Sequence, residues 1–218
     1  MNRIVIFANG ELPDTQKARA LLRPDDFILC ADGGSRHVLT LELRPHLVMG
    51  DLDSAEKNDL QQLQSAGVQI ELFPRDKNET DLELALTRAV ELNPGQILIV
   101  AALGGRLDHT LSNIALLTKP ELANFQVRLD DGVEEVFLCR DQVQVHGGAG
   151  DLVSLIPWDS PVHGIQTQGL KWALKDETLY RDKTRGVSNE MLSGSASLQI
   201  RSGLLLIIHR RQVPRPNL

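Results

Sequence analysis

The first hundred residues repeat one pattern, and that pattern restricts the possible folds more than any other feature of the chain. Short, almost wholly apolar runs stand at residues 4–8, 27–31, 46–49 and 96–101, and before the last of these a further strand, with polar residues at Gln69 and Glu71, is read at residues 68–73. Stretches of helical composition lie between or beside them at residues 14–22, 35–43, 55–66 and 79–92, with breaks at Pro24, Pro45 and Gly67. A run that is apolar at successive positions, rather than at every second one, is what a strand buried on both faces requires. Strand and helix in alternation predict a mostly parallel sheet with right-handed crossovers, covered by helices in a three-layer α/β arrangement.

In such sheets ligands bind at the carboxyl ends of the strands, so the residues after each run carry the chemistry. Asp32-Gly33-Gly34 follows the second run and Gly50-Asp51-Leu52-Asp53-Ser54 the third. Thr80-Asp81 opens the helix after the fourth, and Gly104-Gly105-Arg106-Leu107-Asp108-His109 follows the fifth. Carboxylates gathered at one edge repel each other unless a cation sits among them. A hard divalent ion such as Mg²⁺ takes oxygen ligands and is shared with substrate phosphates. Glycines let the backbone approach a phosphate, a helix start offers free N–H groups, and Arg106 can grip phosphate oxygens in pairs. The pattern predicts a metal–phosphate site.

Structural roles compete for several of these residues. Thr80-Asp81-Leu82-Glu83 fits a helix capping box, and Asp53 or Ser54 suits the cap of the next helix, which leaves Asp51 without a structural role. Gly33-Gly34 and Gly104-Gly105 also suit tight turns. Among oxygen donors chosen for a hard ion, His109 reads as a supporting helix residue rather than a metal ligand.

The second half has a different rhythm. Apolar runs at residues 125–129, 135–139, 142–146, 151–156, 198–201 and 204–209 are separated by Asp131-Gly132, Gly147-Gly148 and Ser202-Gly203. Short strands punctuated by turn residues predict an all-β sandwich. The expected division is therefore an α/β domain over residues 1–121 and a β-sandwich domain over residues 122–218.

Composition narrows the function classes. With 218 residues, 42% hydrophobic and 24% charged, the chain can bury a substantial core. A net charge of −6 speaks against nucleic acid or a membrane surface as partner. Cys30 and Cys139 show no metal-ligand spacing and make no disulfide framework. No apolar run reaches membrane-spanning length and no leader pattern opens the chain, so the expected location is the cytoplasm.

Four motifs occur together and in order: Cys30-Ala31-Asp32-Gly33-Gly34, Gly50-Asp51-Leu52-Asp53-Ser54, Asp76-Lys77-Asn78-Glu79-Thr80-Asp81 and Gly104-Gly105-Arg106-Leu107-Asp108-His109. In this combination and spacing the chain resembles the thiamine pyrophosphokinase (thiamine diphosphokinase) family, strongly over residues 1 to 120 and more loosely beyond. The resemblance implies transfer of pyrophosphate from ATP to the hydroxyl of thiamine, giving thiamine diphosphate and AMP. It implies Mg²⁺ at Asp51, Asp53 and Asp108, and catalytic roles for Asp81, Asp108 and Arg106. It implies nucleotide contacts at Asp32, Gly33, Gly34, Asn78, Thr80, Gly104, Gly105 and His109. Many family members carry an acid where Asn78 stands, so a charge-dependent role there is not expected of this chain.

In the second half, Gly169-Leu170-Lys171-Trp172 and Gly186-Val187-Ser188-Asn189-Glu190 resemble the family's thiamine-binding segments, which usually lie at a homodimer interface. The resemblance thus implies thiamine contacts at Trp172, Ser188 and Asn189 together with Asp81. Thiamine joins a cationic thiazolium to an aminopyrimidine, which an aromatic face and a few amides or hydroxyls would suit. A core position for Trp172 is the alternative. A metal-dependent phosphohydrolase and a non-catalytic nucleotide or thiamine sensor are the competing functions; the first would transfer to water and the second would not turn over.

Overall fold

A computed structural model describes residues 2–52, 61 and 63–212. The chain divides into two compact units, Met1–Gly132 and Val133–Leu218.

The first unit is built on six parallel strands: β1 (Arg3–Phe7), β2 (Phe27–Ala31), β3 (Leu47–Gly50), β4 (Gln69–Leu72), β5 (Gln96–Val100) and β6 (Gln126–Asp130). Their order is β6-β5-β1-β2-β3-β4, with all neighbours parallel. Helices α1 (Thr15–Ala20), α2 (Ser35–Thr40), α3 (Asp81–Glu91) and α4 (Leu107–Leu116) fall between them. Val5 and Phe7 join one apolar cluster with Ile28, Cys30, Val38 and Leu41. Their neighbours Ile4 and Ile6 are equally buried, so β1 is covered on both faces as its unbroken apolar run requires. Helix α3 buries Leu82, Ala85, Leu86 and Ala89, an apolar stripe at helical spacing that packs against β1, β2 and β3. At the other end of the strands the buried Arg3 guanidinium donates to both oxygens of Asp26, at 2.7 and 2.6 Å, and ties the starts of β1 and β2 together.

The strand at Gln126–Asp130 corrects one expectation. Its apolar run reads with the second half, yet it pairs in parallel with β5, Ile97 opposite Val127 and Ile99 opposite Leu129. A short strand carries no mark of its partner's direction. The run at residues 55–66, expected as a helix, lies largely outside the described residues.

The second unit holds two antiparallel sheets. Strands β7 (Glu134–Cys139), β8 (Gln142–His146), β9 (Leu152–Pro157), β10 (Val162–Gln168), β11 (Lys175–Leu179), β12 (Asn189–Glu190), β13 (Ser195–Gln199) and β14 (Leu205–Arg210) pair in the orders β12-β9-β14-β7 and β11-β10-β13-β8. Phe137, Cys139, Leu155 and Ile207 of one sheet meet Val145, Ile165, Leu179 and Leu198 of the other in one apolar cluster, the inside of a sandwich. Strands β10 and β11 do not register as apolar runs: Val162–Gln168 carries a histidine, two glutamines and a threonine, and Lys175–Leu179 is an edge strand with exposed charges. Among the described residues no helix is long and apolar enough to cross a membrane.

Candidate active site

The strand order of the first unit changes direction at β1: β2, β3 and β4 follow on one side, and β5 and β6 on the other. Loops leaving two neighbouring strands in opposite directions open a crevice at such a point. A cleft of about 560 Å³ lies there, lined by the segment after β1 (Ala8 to Glu11), the end of β2 (Ala31, Asp32), the start of α3 (Thr80, Asp81) and the turn after β5 (Ala102, Gly104, Gly105, Arg106). Arg36 of α2 and His109 and Asn113 of α4 complete it.

Close backbone contact builds the floor. Beyond the strands proper, Ala8 N donates to Val100 O (2.9 Å), Gly10 N to Ala101 O (2.6 Å) and Glu11 N to Leu103 O (3.0 Å). A Cβ on Gly34 would lie 2.0 Å from Phe7 O, so only glycine lets the turn after β2 rest on the end of β1. Asp32, Leu52 and Ala101 take positive φ of 46°, 54° and 55° just past the ends of β2, β3 and β5. Non-glycine residues held in that region cost about 1–3 kcal/mol each and collect where function fixes the backbone.

Side chains secure the loops. Arg36 Nη2 donates to Asn9 O (3.3 Å) and Gly10 O (3.1 Å), and His37 Nε2 lies 3.0 Å from Gly10 O. Burial holds the His37 pKa below its usual value, so at neutral pH the ring is uncharged and gives Gly10 an N–H. Asn113 Nδ2 donates to Ala102 O at 2.8 Å, and Thr110 Oγ1 donates to Gly104 O at 3.1 Å. The Glu11 side chain lies across Gly104, where an added Cβ would stand 2.8 Å from its Oε2.

Thr80 caps α3, its Oγ1 accepting from Glu83 N at 3.2 Å. Only half of the expected capping box forms, because the Glu83 carboxylate takes Lys119 Nζ at 2.7 Å instead of turning back to the cap. Asp81 is therefore the first residue of the helix, on the cleft wall. At α4 the Arg106 guanidinium pairs with both Asp108 oxygens, at 3.2 and 2.6 Å. With side chains 72% and 64% exposed, that pair adds little stability, though Arg106 holds the Asp108 carboxyl below the usual range.

In the second unit Trp172 and Asn189 hold each other through backbone groups. Trp172 N donates to Asn189 Oδ1 (3.0 Å), and Asn189 Nδ2 donates to Trp172 O (2.8 Å). The Trp172 ring is left 55% exposed, with Lys171 Nζ 4.8 Å from its centroid. Ser188, at a positive φ of 60°, donates its N–H to Ser154 Oγ.

Two family models match this chain: "Thiamin pyrophosphokinase, catalytic domain" over residues 18–129 and "Thiamin pyrophosphokinase, vitamin B1 binding domain" over residues 141–205. The chain belongs to the thiamin pyrophosphokinase family. It is 28% identical over 185 residues to the thiamine pyrophosphokinase of Bacillus subtilis, an alignment covering 81% of this chain and 84% of that one. The crystal structure of the Bacillus subtilis thiamine pyrophosphokinase superposes with a TM-score of 0.87 at 25% identity, over 97% of this chain and 100% of that one. The thiamin pyrophosphokinase of Geobacillus thermodenitrificans superposes with a TM-score of 0.83 at 27% identity, over 97% and 99%. Like its family the chain is an enzyme, with thiamine pyrophosphokinase activity, and nothing in these likenesses favours a phosphohydrolase or a sensor.

Against that membership the expected site residues divide. Asp32, Thr80, Asp81, Gly104, Gly105, Arg106 and His109 share the cleft. Gly33 and Gly34 are buried against the end of β1 and do not line it; they shape the turn that delivers Asp32. Asn78 is exposed and off the cleft, Asp51 is half-buried just past Gly50, and Asp108 faces Arg106. Asp53 lies outside the described residues. Trp172, Ser188 and Asn189 belong to the second unit, where the exposed ring rules out a core position for Trp172. Sequence reasoning missed Asn9, Gly10, Glu11, Arg36 and Asn113 in the cleft wall. Asn9-Gly10 registers in the sequence only as the end of a strand, although a strand end in this fold is where a ligand is expected.

Proposed function

We propose that the cleft at the strand ends of the first unit is where pyrophosphate passes from ATP to thiamine. The thiamine hydroxyl oxygen attacks the β-phosphorus of ATP in line; the bond from that phosphorus to the oxygen bridging the α-phosphate breaks, and AMP leaves. Such a transfer demands positioning and charge neutralisation more than covalent catalysis. The observation that carries this reading is the gathering of Asp81, Arg106 and the Gly104-Gly105 turn in one cleft at the point where the strand order reverses.

Asp81 is the proposed acceptor for the hydroxyl proton, since a protonated primary alcohol is a weak nucleophile. Arg106 and Arg36 supply positive charge to the phosphates. The turn at Gly104-Gly105, with positive φ of 77° and 65°, lets the backbone approach them.

The donors suit Mg²⁺. A Cβ on Gly50 would lie 3.1 Å from Asp32 Cβ and 3.1 Å from Asp81 Oδ1, so carboxylates from two further elements converge where the Asp51 loop begins. Mg²⁺ bound by a few carboxylates completes its shell with water and substrate phosphates. Asp51 and Asp53 are the proposed holders, and Asp108 would join them on giving up Arg106. When bound, the ion would neutralise phosphate charge and polarise phosphoryl oxygens.

The thiamine contacts proposed for Trp172 and Ser188, at the interface of a homodimer, are supported by the exposure of Trp172, Val187 and Leu192, and the buried Asn189, its amide bonded to the Trp172 backbone, is proposed to act by holding that tryptophan. Two buried free thiols support a cytoplasmic location. The proposed ATP and Mg²⁺ domain, expected over residues 1–121, is extended to Gly132 by β6, and the rest of the chain is the proposed thiamine domain.

Incubation with ATP, Mg²⁺ and thiamine should give AMP and thiamine diphosphate in equal amounts. Steady phosphate release without thiamine would overturn the transferase reading. Asp51→Asn should raise the Mg²⁺ concentration needed for half-maximal rate; an unchanged titration removes Asp51 from the metal site.

A further inference from the structure

Asp81 opens α3 on the cleft wall with one of its two carboxylate oxygens enclosed. Oδ1 is buried and accepts no hydrogen bond. On one side an added Cβ at Gly50 would stand 3.1 Å away, so the absence of a side chain there makes room for it. On another the Lys77 ammonium lies at 3.0 Å, a contact of charges rather than a directed hydrogen bond. The Lys77 side chain is only 12% exposed and that of Asp81 26%, so water screens this pair far less than the Arg106–Asp108 pair. Lys77 is itself tethered: its Nζ donates to Pro74 O at 3.2 Å and its backbone N–H to Arg75 O at 3.1 Å.

A buried carboxylate oxygen without a hydrogen bond stays in place only if a nearby positive charge compensates its lost hydration. Here that charge sits on a short turn just before the helix, and its removal would leave the oxygen free to swing away.

We infer that Lys77 is a positioning residue for Asp81. It fixes the carboxylate by Oδ1, in the place on the cleft wall from which it meets the thiamine hydroxyl. Lys77 does not line the cleft, so it acts through Asp81 and not on the substrate. The inference rests on the reading of Asp81 as the group that meets the thiamine hydroxyl.

The test compares Lys77→Met, Lys77→Arg, Asp81→Asn and the Lys77→Met/Asp81→Asn double variant in the full-length enzyme. Turnover is normalised to the folded fraction measured by thermal unfolding, so lost folding does not pass for lost positioning. Lys77→Met should lower kcat about 10- to 100-fold, the range for a displaced reacting group, with KM for Mg·ATP little changed. Lys77→Arg should recover most of the rate, and the double variant should be no slower than Asp81→Asn alone. A Lys77→Met enzyme with near-normal kcat, or a double variant slowed by the product of the single effects, overturns the role of Lys77 while leaving that of Asp81. Near-normal turnover by Asp81→Asn overturns the reading of Asp81, and this inference with it.

Discussion

In the first unit the cleft residues are placed by the backbone: parallel strands end together, and Gly10 and Gly34 sit where the backbone of another segment comes too close for a side chain. In the second unit the exposed ring of Trp172 is placed by a side chain, the Asn189 amide that reaches 17 residues back to bond the tryptophan's own N–H and C=O. A site set by topology tolerates exchange of its exposed side chains but not of its closest backbone contacts. A site held by one amide depends on that amide.

Chemistry gives the largest expected difference between the two. Asp81→Asn should leave the fold intact and lower kcat by about 100- to 10,000-fold, the range for loss of a proton acceptor; near-normal formation of thiamine diphosphate would break the assignment. Next comes the backbone. Gly34 has an ordinary helical φ of −58°, so Gly34→Ala adds no conformational strain, but its Cβ would meet Phe7 O at 2.0 Å. A loss of about 3 kcal/mol in denaturant unfolding is expected from such overpacking. An unchanged midpoint would show that the turn after β2 can lift off β1.

Trp172→Ala should act the other way round. The ring is more than half exposed, so the unfolding temperature should hardly move, while KM for thiamine rises about tenfold if a cationic ring stacks there. Lys171 already sits on one face of the indole, so Lys171→Ala should leave thiamine affinity unchanged or improve it. A large fall in stability for Trp172→Ala would place the ring among the structural residues.

The smallest effect concerns pH. His209 is buried in β14, with Nδ1 3.3 Å from Glu135 Oε2 and Nε2 3.0 Å from Asp151 Oδ2. Burial alone would lower its pKa, but the two carboxylates outweigh burial and hold it above the usual histidine value. The folded chain thus keeps a proton that the unfolded chain releases. Its stabilisation is complete below about pH 6.5, the unperturbed value, and is lost as pH rises through the folded pKa. Asp151 works in the opposite sense. Burial would raise its pKa, yet the N–H groups of Gln212 and Gly148 and the His209 ring lower it, so its share is lost on acidification. Unfolding temperatures from about pH 6 to about pH 9 should fall in the wild type, and His209→Gln should flatten that fall. Parallel curves would mean that His209 does not titrate in this range.

The contrast between the units also explains what the sequence could tell. Unbroken apolar runs are imposed by burial on both faces, so β1, β2, β3 and β5 are visible in composition alone, and the strand-end rule leads from them to Asp32, Asp81 and Gly104. Edge strands such as Lys175–Leu179 bury too little to leave a pattern. Asp108 stands at the expected strand end, but which way its carboxylate turns depends on the competing Arg106 two residues away, and spacing cannot decide that. Gly33 and Gly34 were legible as a turn, whereas their burial against Phe7 and Asn9 is a fact of three dimensions. Glu11 reaches the cleft from a loop and Arg36 from the first turn of α2, where the sequence shows only polarity.

Cys30 and Cys139 have a use unrelated to catalysis. Each unit holds one of them, Cys30 on β2 and Cys139 on β7, and neither is solvent-exposed. Burial pushes the Cys139 thiol up to about 11 and that of Cys30 further in the same direction, so neither forms the reactive thiolate while its strand is in place. A thiol-labelling reagent should therefore read out local opening: the order in which the two cysteines become modified under mild denaturant reports which half of the molecule lets go first.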